Sequence, residues 1–174
     1  MMHLIIDGYN LIRQSPALQR LDARELEAGR EALLDRLASY RSRARHKITV
    51  VFDGWQGGDL KESTAQQQGM LIIYSRLGER ADEVIKRLLA RERGRAVVVS
   101  SDRELQECAR QVGAAWINAS QFDSLHLLPR DHRPLDHRPL DQKDEPTPAR
   151  HGKKGPARRL PKAQRQQRQR LKKL

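Results

Sequence analysis

A chain of 174 residues is long enough for one domain with an appendage, and its 34 Lys and Arg against 22 Asp and Glu give a net charge of +12 at pH 7. The excess is uneven: every acid lies at or before Glu145, where 23 bases nearly balance them, whereas the last 29 residues carry 11 bases and no acid. This excludes a uniformly basic protein and fits a near-neutral domain with a cationic tail that seeks a polyanion, such as RNA, DNA or an anionic membrane face.

The first apolar run, Leu4-Ile5-Ile6, predicts a strand over His3 to Asp7. A long helix is expected over roughly Asp22 to Arg45, with Leu26, Leu33, Leu37 and Tyr40 on one face, Asp22 as its N-cap and Glu25 as the capping-box partner. Ile48 to Asp53 is the next strand. Gly54 to Gly69 reads as an irregular loop, of a length that is often functional. Further strands are expected over Met70 to Ser75, Ala96 to Ser101 and Ala115 to Ile117. Helices over Glu79 to Arg93 and Asp102 to Val112 alternate with them, stopped by Gly94 and Gly113. Short β-branched runs separated by helices predict an α/β fold around a mostly parallel sheet. The domain is expected to span residues 1–128.

Residues 129–174 read as linker and tail. Asp-His-Arg-Pro-Leu occurs twice in succession between Arg130 and Asp141, and from Pro146 onward the chain is rich in Pro, Gly, Gln, Lys and Arg, with no aromatic. Such a composition cannot bury a core and is expected to stay disordered until it meets a partner. Pro161 to Leu174 is able to form a basic helix on binding, with Pro161 near its first turn. The tail bases Arg158, Arg159, Lys162, Arg165, Arg168, Arg170, Lys172 and Lys173 are the expected nucleic-acid contacts.

Three of the apolar runs end in aspartate: Asp7, Asp53 and, after Ser100-Ser101, Asp102. The carboxyl ends of parallel strands open on one crevice, so these acids should converge. Singly, each has an ordinary structural role. Asp7-Gly8 and Asp53-Gly54 are turn dipeptides. Asp102 follows Ser101 of a Ser-x-x-Glu capping box, and Asp82 and Glu83 occupy the first turn of their helix. Turn and cap roles do not, however, ask for acids at the ends of three buried runs on one sheet edge. Gathered carboxylates repel unless a cation or a retained proton intervenes. Mg²⁺ and Mn²⁺, hard ions that take octahedral oxygen donors, fit that need. Such a site orients a water, lowers its pKa and offsets charge on a phosphoryl oxygen, which suits an RNA phosphodiester. Asn10 adds a neutral amide that aligns a water or a metal ligand without further negative charge.

Other acid-rich or phosphate-binding folds fit poorly. Haloacid-dehalogenase and Toprim sites want Asp-x-Asp, which occurs nowhere in the chain. Dinucleotide binding wants three spaced glycines after the first strand, and a P-loop is absent. A receiver domain needs a lysine at a later strand end, where this chain has Ser-Ser-Asp and Ile-Asn.

Four separated motifs, LIIDGYNLI, VVFDG, GERADEVI and VVVSSDRELQ, resemble in order and spacing the NYN-domain nucleases of the YacP-like group, relatives of the PIN and flap-nuclease folds. The likeness covers about residues 2–125, and the basic extension lies beyond that core. It implies a three-layer α/β/α sandwich with a central mostly parallel, PIN-like sheet, and metal-dependent endoribonuclease activity, in some bacterial members associated with the ribosome. Carried over by position, it makes Asp7, Asp53, Asp82 and Asp102 the acidic residues and Asn10 the asparagine of the Asp-Gly-Tyr-Asn motif. Glu83, one residue on from Asp82, points about 100° away around the helix and ranks second.

Trp55 stands at the start of the Gly54–Gly69 loop, where it either stacks on an unpaired base or packs at the strand end. Trp116 and Cys108 read as core residues, and Tyr9 as a packing or backbone-positioning residue. The six histidines lack zinc-ligand spacing. Arg41, Arg43, Arg45 and Lys47 form either a phosphate contact or, more commonly, a solvated helix end. With one cysteine, Cys108, no internal disulfide can form. No run nears the ~18 apolar residues of a membrane span, and Asp7 interrupts the first apolar run too early for a secretory signal. The expectation is a cytoplasmic endoribonuclease using Mg²⁺ or Mn²⁺, with RNA and the ribosome as partners and no membrane. Attack by a metal-activated water leaves 5′-phosphate and 3′-hydroxyl ends, since there is no histidine pair to use the RNA 2′-hydroxyl. The rivals are a non-catalytic RNA- or ribosome-binding module, whose acids are turn and cap residues, and a flap-type DNA nuclease, for which about 128 residues leave little room to grip a duplex.

Overall fold

The computed structural model of the chain describes residues 2–54, 61–128, 167 and 169–171. The elements run β1 (His3–Asp7), α1 (Gly8–Gln14), α2 (Pro16–Asp22), α3 (Leu26–Ala44), β2 (Lys47–Phe52), β3 (Ser63–Gln67), β4 (Met70–Tyr74), α4 (Ala81–Glu92), β5 (Ala96–Val99), α5 (Arg103–Gln111), β6 (Ala115–Ile117) and α6 (Ala119–Phe122). The six strands form one sheet in the order β3-β4-β2-β1-β5-β6. β3 is antiparallel to β4, and every other pair is parallel.

The unbroken apolar runs suit this sheet because it is covered on both faces. Alternate residues feed two cores. Leu4, Ile6, Val50, Phe52, Val97 and Val99 pack against α1, α2, α3 and α6. Ile5, Val51, Ile73 and Val98 pack against α4 and α5 through Val84, Ile85, Leu89, Leu105 and Ala109. The result is the α/β/α sandwich expected from the motifs. Trp116 and Cys108 are only partly buried at the margin of the second core.

Three local features differ from the expectation. The stretch before Asp22 holds α1 and α2, each of seven residues and too short for hydrophobic periodicity to reveal. Ser15 adopts an extended conformation before Pro16, which ends one helix and opens the next. Asp22 therefore closes α2 instead of capping α3, whose N-cap is Glu25 with no side-chain capping bond. The Gly54–Gly69 segment is also not all loop, because Ser63–Gln67 forms β3. Gln68 and Gly69, with φ of 52° and 75°, make the two-residue turn that suits a tight hairpin. A polar strand exposed at the sheet edge carries no apolar alternation, so sequence pattern misses it. Residues 55–60, including Trp55, lie outside the described residues.

The basic helix allowed for within Pro161–Leu174 is seen at Gln167, Gln169, Arg170 and Leu171. It lies along the outer edge of β6: Gln167 Nε2 donates to the Trp116 carbonyl at 3.4 Å, and Arg170 donates to the Gly113 carbonyl at 2.7 Å. Leu171 packs against the first core.

The ends of β2 and β4 are latched together by Ser75. Its N–H donates to the Phe52 carbonyl at 3.0 Å, its Oγ accepts from the Gly54 N–H at 3.0 Å, and the same hydroxyl donates to the Glu79 carbonyl at 2.6 Å. A side chain on Gly54 would fall inside the Ser75 carbonyl oxygen, which is backbone and has little room to yield. Gly54→Ala is therefore expected to destabilise the protein by about 3 kcal/mol, as overpacking against backbone does. The urea midpoint measures it, and an unchanged midpoint would contradict the close approach.

Candidate active site

Parallel pairing brings the ends of β2, β1 and β5 side by side. Asp7 is in register with Val51 of β2, and Ile6 with Val99 of β5, so Ser100 falls next to Asp7. Asp7, Asp53 and Ser100 share the strand parity of Ile5, Val51 and Val98, the face that α4 and α5 cover. Asp82 enters from the first turn of α4, and Asp102 stands at the N-cap of α5.

Three of the four carboxylates are each held by specific donors. Asp7 is 8% exposed, and its Oδ1 accepts from the Asn10 N–H at 3.2 Å, capping α1. Its Oδ2 accepts from the Ser100 hydroxyl at 3.2 Å. Asp53 Oδ1 accepts from the Ala81 N–H at 2.6 Å, which fixes the start of α4 against the end of β2. Asp102 Oδ1 accepts from the N–H groups of Glu104 and Leu105 at 2.7 and 3.2 Å. Asp102, not Ser101, is thus the cap of α5. Asp82 is 7% exposed. The Arg80 guanidinium lies 2.5 Å from its Oδ2 but is too poorly aligned for a hydrogen bond, so that buried oxygen has no hydrogen-bond partner among the described residues. Of the two adjacent acids, Asp82 turns inward while Glu83 is exposed and pairs with Lys86.

The four acids act on one another electrostatically. Burial pushes the Asp7 carboxyl up to about 6; the Asn10 N–H and the Ser100 hydroxyl oppose this, and the charges of Asp82 and Asp53 add to it. Burial also raises Asp82, against the pull of Arg80 and with the repulsion of Asp102 and Asp53. Such mutual repulsion is relieved by a proton or a cation.

Two residues that sequence reasoning did not single out complete the arrangement. Ser100, buried at the end of β5, donates to Asp7 and accepts from the Asp102 N–H at 3.1 Å, so one hydroxyl couples two acids. The signal was a small hydroxyl residue between an apolar run and an aspartate, although such a residue is equally common as a cap. Arg80 is the other, hidden because an arginine before a helix is ordinary. Asn10 is held in the same cluster, where its Oδ1 accepts from the Ser101 N–H at 2.8 Å. It clamps the loop that carries Asp102 onto α1.

Among the described residues no three His, Cys, Asp or Glu side chains close into a finished metal cage. Asp7, Asp53 and Asp102 each place one oxygen on a backbone N–H, which leaves the second oxygen of each carboxylate for another partner. The donor set still fits a hard divalent ion: it is made of carboxylate oxygens, one of them buried without a hydrogen bond, and two of the carboxyls are pushed up by burial and like charge.

The other expected residues lie elsewhere. Arg41 and Arg43 in the last turn of α3, Arg45 at its C-cap and Lys47 as the first residue of β2 stand at the opposite end of a six-residue strand from Asp53, about 20 Å away. Arg43 is tied to the Ser39 and His126 carbonyls, and Arg45 ends α3 in the left-handed conformation. Tyr9 packs edge-on against Phe52 at 5.2 Å between ring centroids. Arg170 is docked at β6, while Arg158, Arg159, Lys162, Arg165, Arg168, Lys172 and Lys173 lie outside the described residues.

Comparison with known proteins bears on this geometry. The model of the YacP-like NYN domain matches residues 4–173, a span that takes in the basic extension as well as the stretch covered by the four motifs. The protein "Uncharacterized protein YacP" of Bacillus subtilis (strain 168) is 33% identical over 85 residues, covering 49% of each chain, so the match spans about half the length of that curated relative. Crystal structures of Rae1 (YacP) from Bacillus subtilis are also similar. A mutant form has a TM-score of 0.58 at 29% identity, and a second structure 0.55 at 30%, each covering 68% of this chain and 70% of that one. Matched by that model over nearly its whole length and similar in fold to these structures, the chain belongs to the YacP-like NYN family, whose domains are of nuclease type.

Proposed function

We propose that the chain is an endoribonuclease that hydrolyses RNA phosphodiester bonds with the help of Mg²⁺ or Mn²⁺, and that it works in the cytoplasm, in association with the ribosome. The observation that carries this reading is the convergence of Asp7, Asp53, Asp82 and Asp102, in which two buried carboxyls are raised by burial and by the other acids. A divalent ion held by these carboxylates supplies positive charge beside a phosphoryl oxygen and a water of lowered pKa. The chain's own residues do the positioning. Asp53 fixes α4, and with it Asp82, against the sheet, while Ser100 and Asn10 hold Asp7 and the Asp102 loop in one rigid unit. With its carbonyl end committed to Ser101, the Asn10 amide keeps its NH₂ end to hold a water or a phosphate oxygen. The tail, with 11 bases and no acid in its 29 residues, supplies affinity for a phosphate backbone without base choice.

The capping bonds of Asp7, Asp53 and Asp102 favour a rival, a binding module whose acids are purely structural. A cap role does not account for Asp82, whose buried Oδ2 accepts no hydrogen bond from the described residues. Cleavage of single-stranded RNA separates the two. The nuclease reading expects cleavage with Mn²⁺, none with EDTA, and a loss of at least about 100-fold in Asp82→Asn, the scale of several kcal/mol of lost charge stabilisation. RNA that is bound but left intact under every metal would support the module.

The raised Asp7 carboxyl makes a prediction for stability. Its folded value of about 6 lies above the ordinary 3.8, so its contribution is fully present below about pH 4 and is lost as pH rises through 6. Asp7→Asn, which never ionises, is expected to stabilise the metal-free protein at pH 8 by up to about 3 kcal/mol and to gain little at pH 4. Urea unfolding at both pH values tests this; equal destabilisation at both would mean that the carboxylate's hydrogen bonds outweigh its burial.

Removal of residues 146–174 is expected to weaken RNA binding, to flatten its salt dependence and to leave metal-dependent cleavage of a short oligonucleotide in place. Because Leu171 packs against the core, the same truncation should also lower the melting temperature by a few degrees. Loss of oligonucleotide cleavage in the truncated, folded protein would contradict this division of labour.

A further inference from the structure

Arg80 stands out among the cations around the acidic cluster. Arg76 pairs with Glu79, Arg87 with Glu79 and Glu62, and Lys86 with Glu83 and Glu104, all of them carboxylates outside the cluster. Among the described ion pairs, Arg80 is the one that reaches a cluster acid, with its Nη2 2.5 Å from Asp82 Oδ2. The two ends of that pair differ in character: the Arg80 side chain is 73% exposed, whereas that of Asp82 is 10% exposed and its Oδ2 has no hydrogen-bond partner among the described residues. Arg80 is the N-cap residue of α4, yet its side chain makes no capping bond, so nothing in the helix start requires an arginine.

An exposed guanidinium ion-paired in this way is weakly held and free to swing. We infer that Arg80 is a removable counter-charge: it occupies the cation position of Asp82 when no divalent ion is bound, and it moves to a non-bridging oxygen of the RNA phosphate when one is. The chemistry favours this transfer. A divalent ion outcompetes a single exposed positive charge for a buried carboxylate oxygen. The displaced guanidinium then stands at the rim of the crevice, with a planar fork that matches a phosphate. Arg80 is thus a positioning residue for the scissile phosphodiester, and in the metal-free site it balances Asp82, the acid that no helix start offsets. The inference rests on the metal-dependent nuclease reading.

The test uses the full chain, wild type, Arg80→Ala and Arg80→Lys, with two readouts that need no turnover. Mn²⁺ affinity is measured by electron paramagnetic resonance, and binding of a short single-stranded RNA in Ca²⁺ is measured across a salt series. Removing the competing charge should tighten Mn²⁺ binding about two- to fivefold in Arg80→Ala, the scale of a partly exposed ion pair. RNA should bind about five- to tenfold more weakly, and the slope of log K against log salt should fall by about 0.7, the value for one phosphate contact on a single strand. Arg80→Lys should keep the slope and lose part of the affinity, because a point charge replaces a fork. If Mn²⁺ binds wild type and Arg80→Ala equally and the salt slope is unchanged, Arg80 is a surface residue and the inference falls while the nuclease reading stands. If Mn²⁺ binds neither protein, the metal-dependent reading falls and takes this inference with it.

Discussion

Parallel strand pairing is the constraint on which the site depends. β1 lies between β2 and β5, and both pair with it in the same direction, so the residues that follow each strand leave the sheet at one edge. The chain runs outward from β1 to β2 and β4 on one side, and only later to β5 and β6 on the other. The site stands at this reversal, the switch point where an open α/β sheet leaves a crevice. No long-range electrostatic attraction brings the acids together. Hydrophobic burial of the strands on both faces does so, against the repulsion of the carboxylates.

That opposition explains the form of the cluster. Asp7, Asp53 and Asp102 each hold a backbone N–H at a helix start, where partial positive charge offsets part of the cost of a buried carboxylate. The structural and chemical roles of these residues are therefore the same interaction seen from two sides: each cap fixes where a carboxylate points, and each carboxylate fixes where a helix begins. Asp82 is the exception, balanced by the mobile charge of Arg80 in place of a cap. A site assembled this way is rigid at three corners and adjustable at the fourth.

Much of this was legible in the chain because the informative residues sit at strand ends. Apolar runs closing on Asp7, Asp53 and Asp102 specify both the sheet and the edge where these acids gather, and Asp82, singled out by the resemblance to the family, turns inward while Glu83 faces solvent. What the sequence concealed depends on tertiary context. β3 is a polar edge strand whose stability comes from pairing with β4 and from the Gln68-Gly69 turn. α1 and α2 are short helices held by burial of Leu11, Ile12 and Leu18. The exchange of Asn10 from a water ligand alone to a clamp on Ser101, and the double role of the Ser100 hydroxyl, arise between residues about 90 positions apart in the chain. No local pattern records a contact of that kind.

On the proposed reading, these carboxylates direct hydrolysis of an RNA phosphodiester by water. The most direct measurement is the chemistry of the product ends, read on a single-stranded RNA cleaved by wild type in Mn²⁺ with Asp102→Asn as the control. The account predicts 5′-phosphate and 3′-hydroxyl ends that disappear in the variant, because a cluster of carboxylates and amides activates water, and among the described residues no imidazole pair stands beside it to deprotonate a 2′-hydroxyl. Ends bearing a 2′,3′-cyclic phosphate, or equal cleavage by wild type and variant, would contradict it.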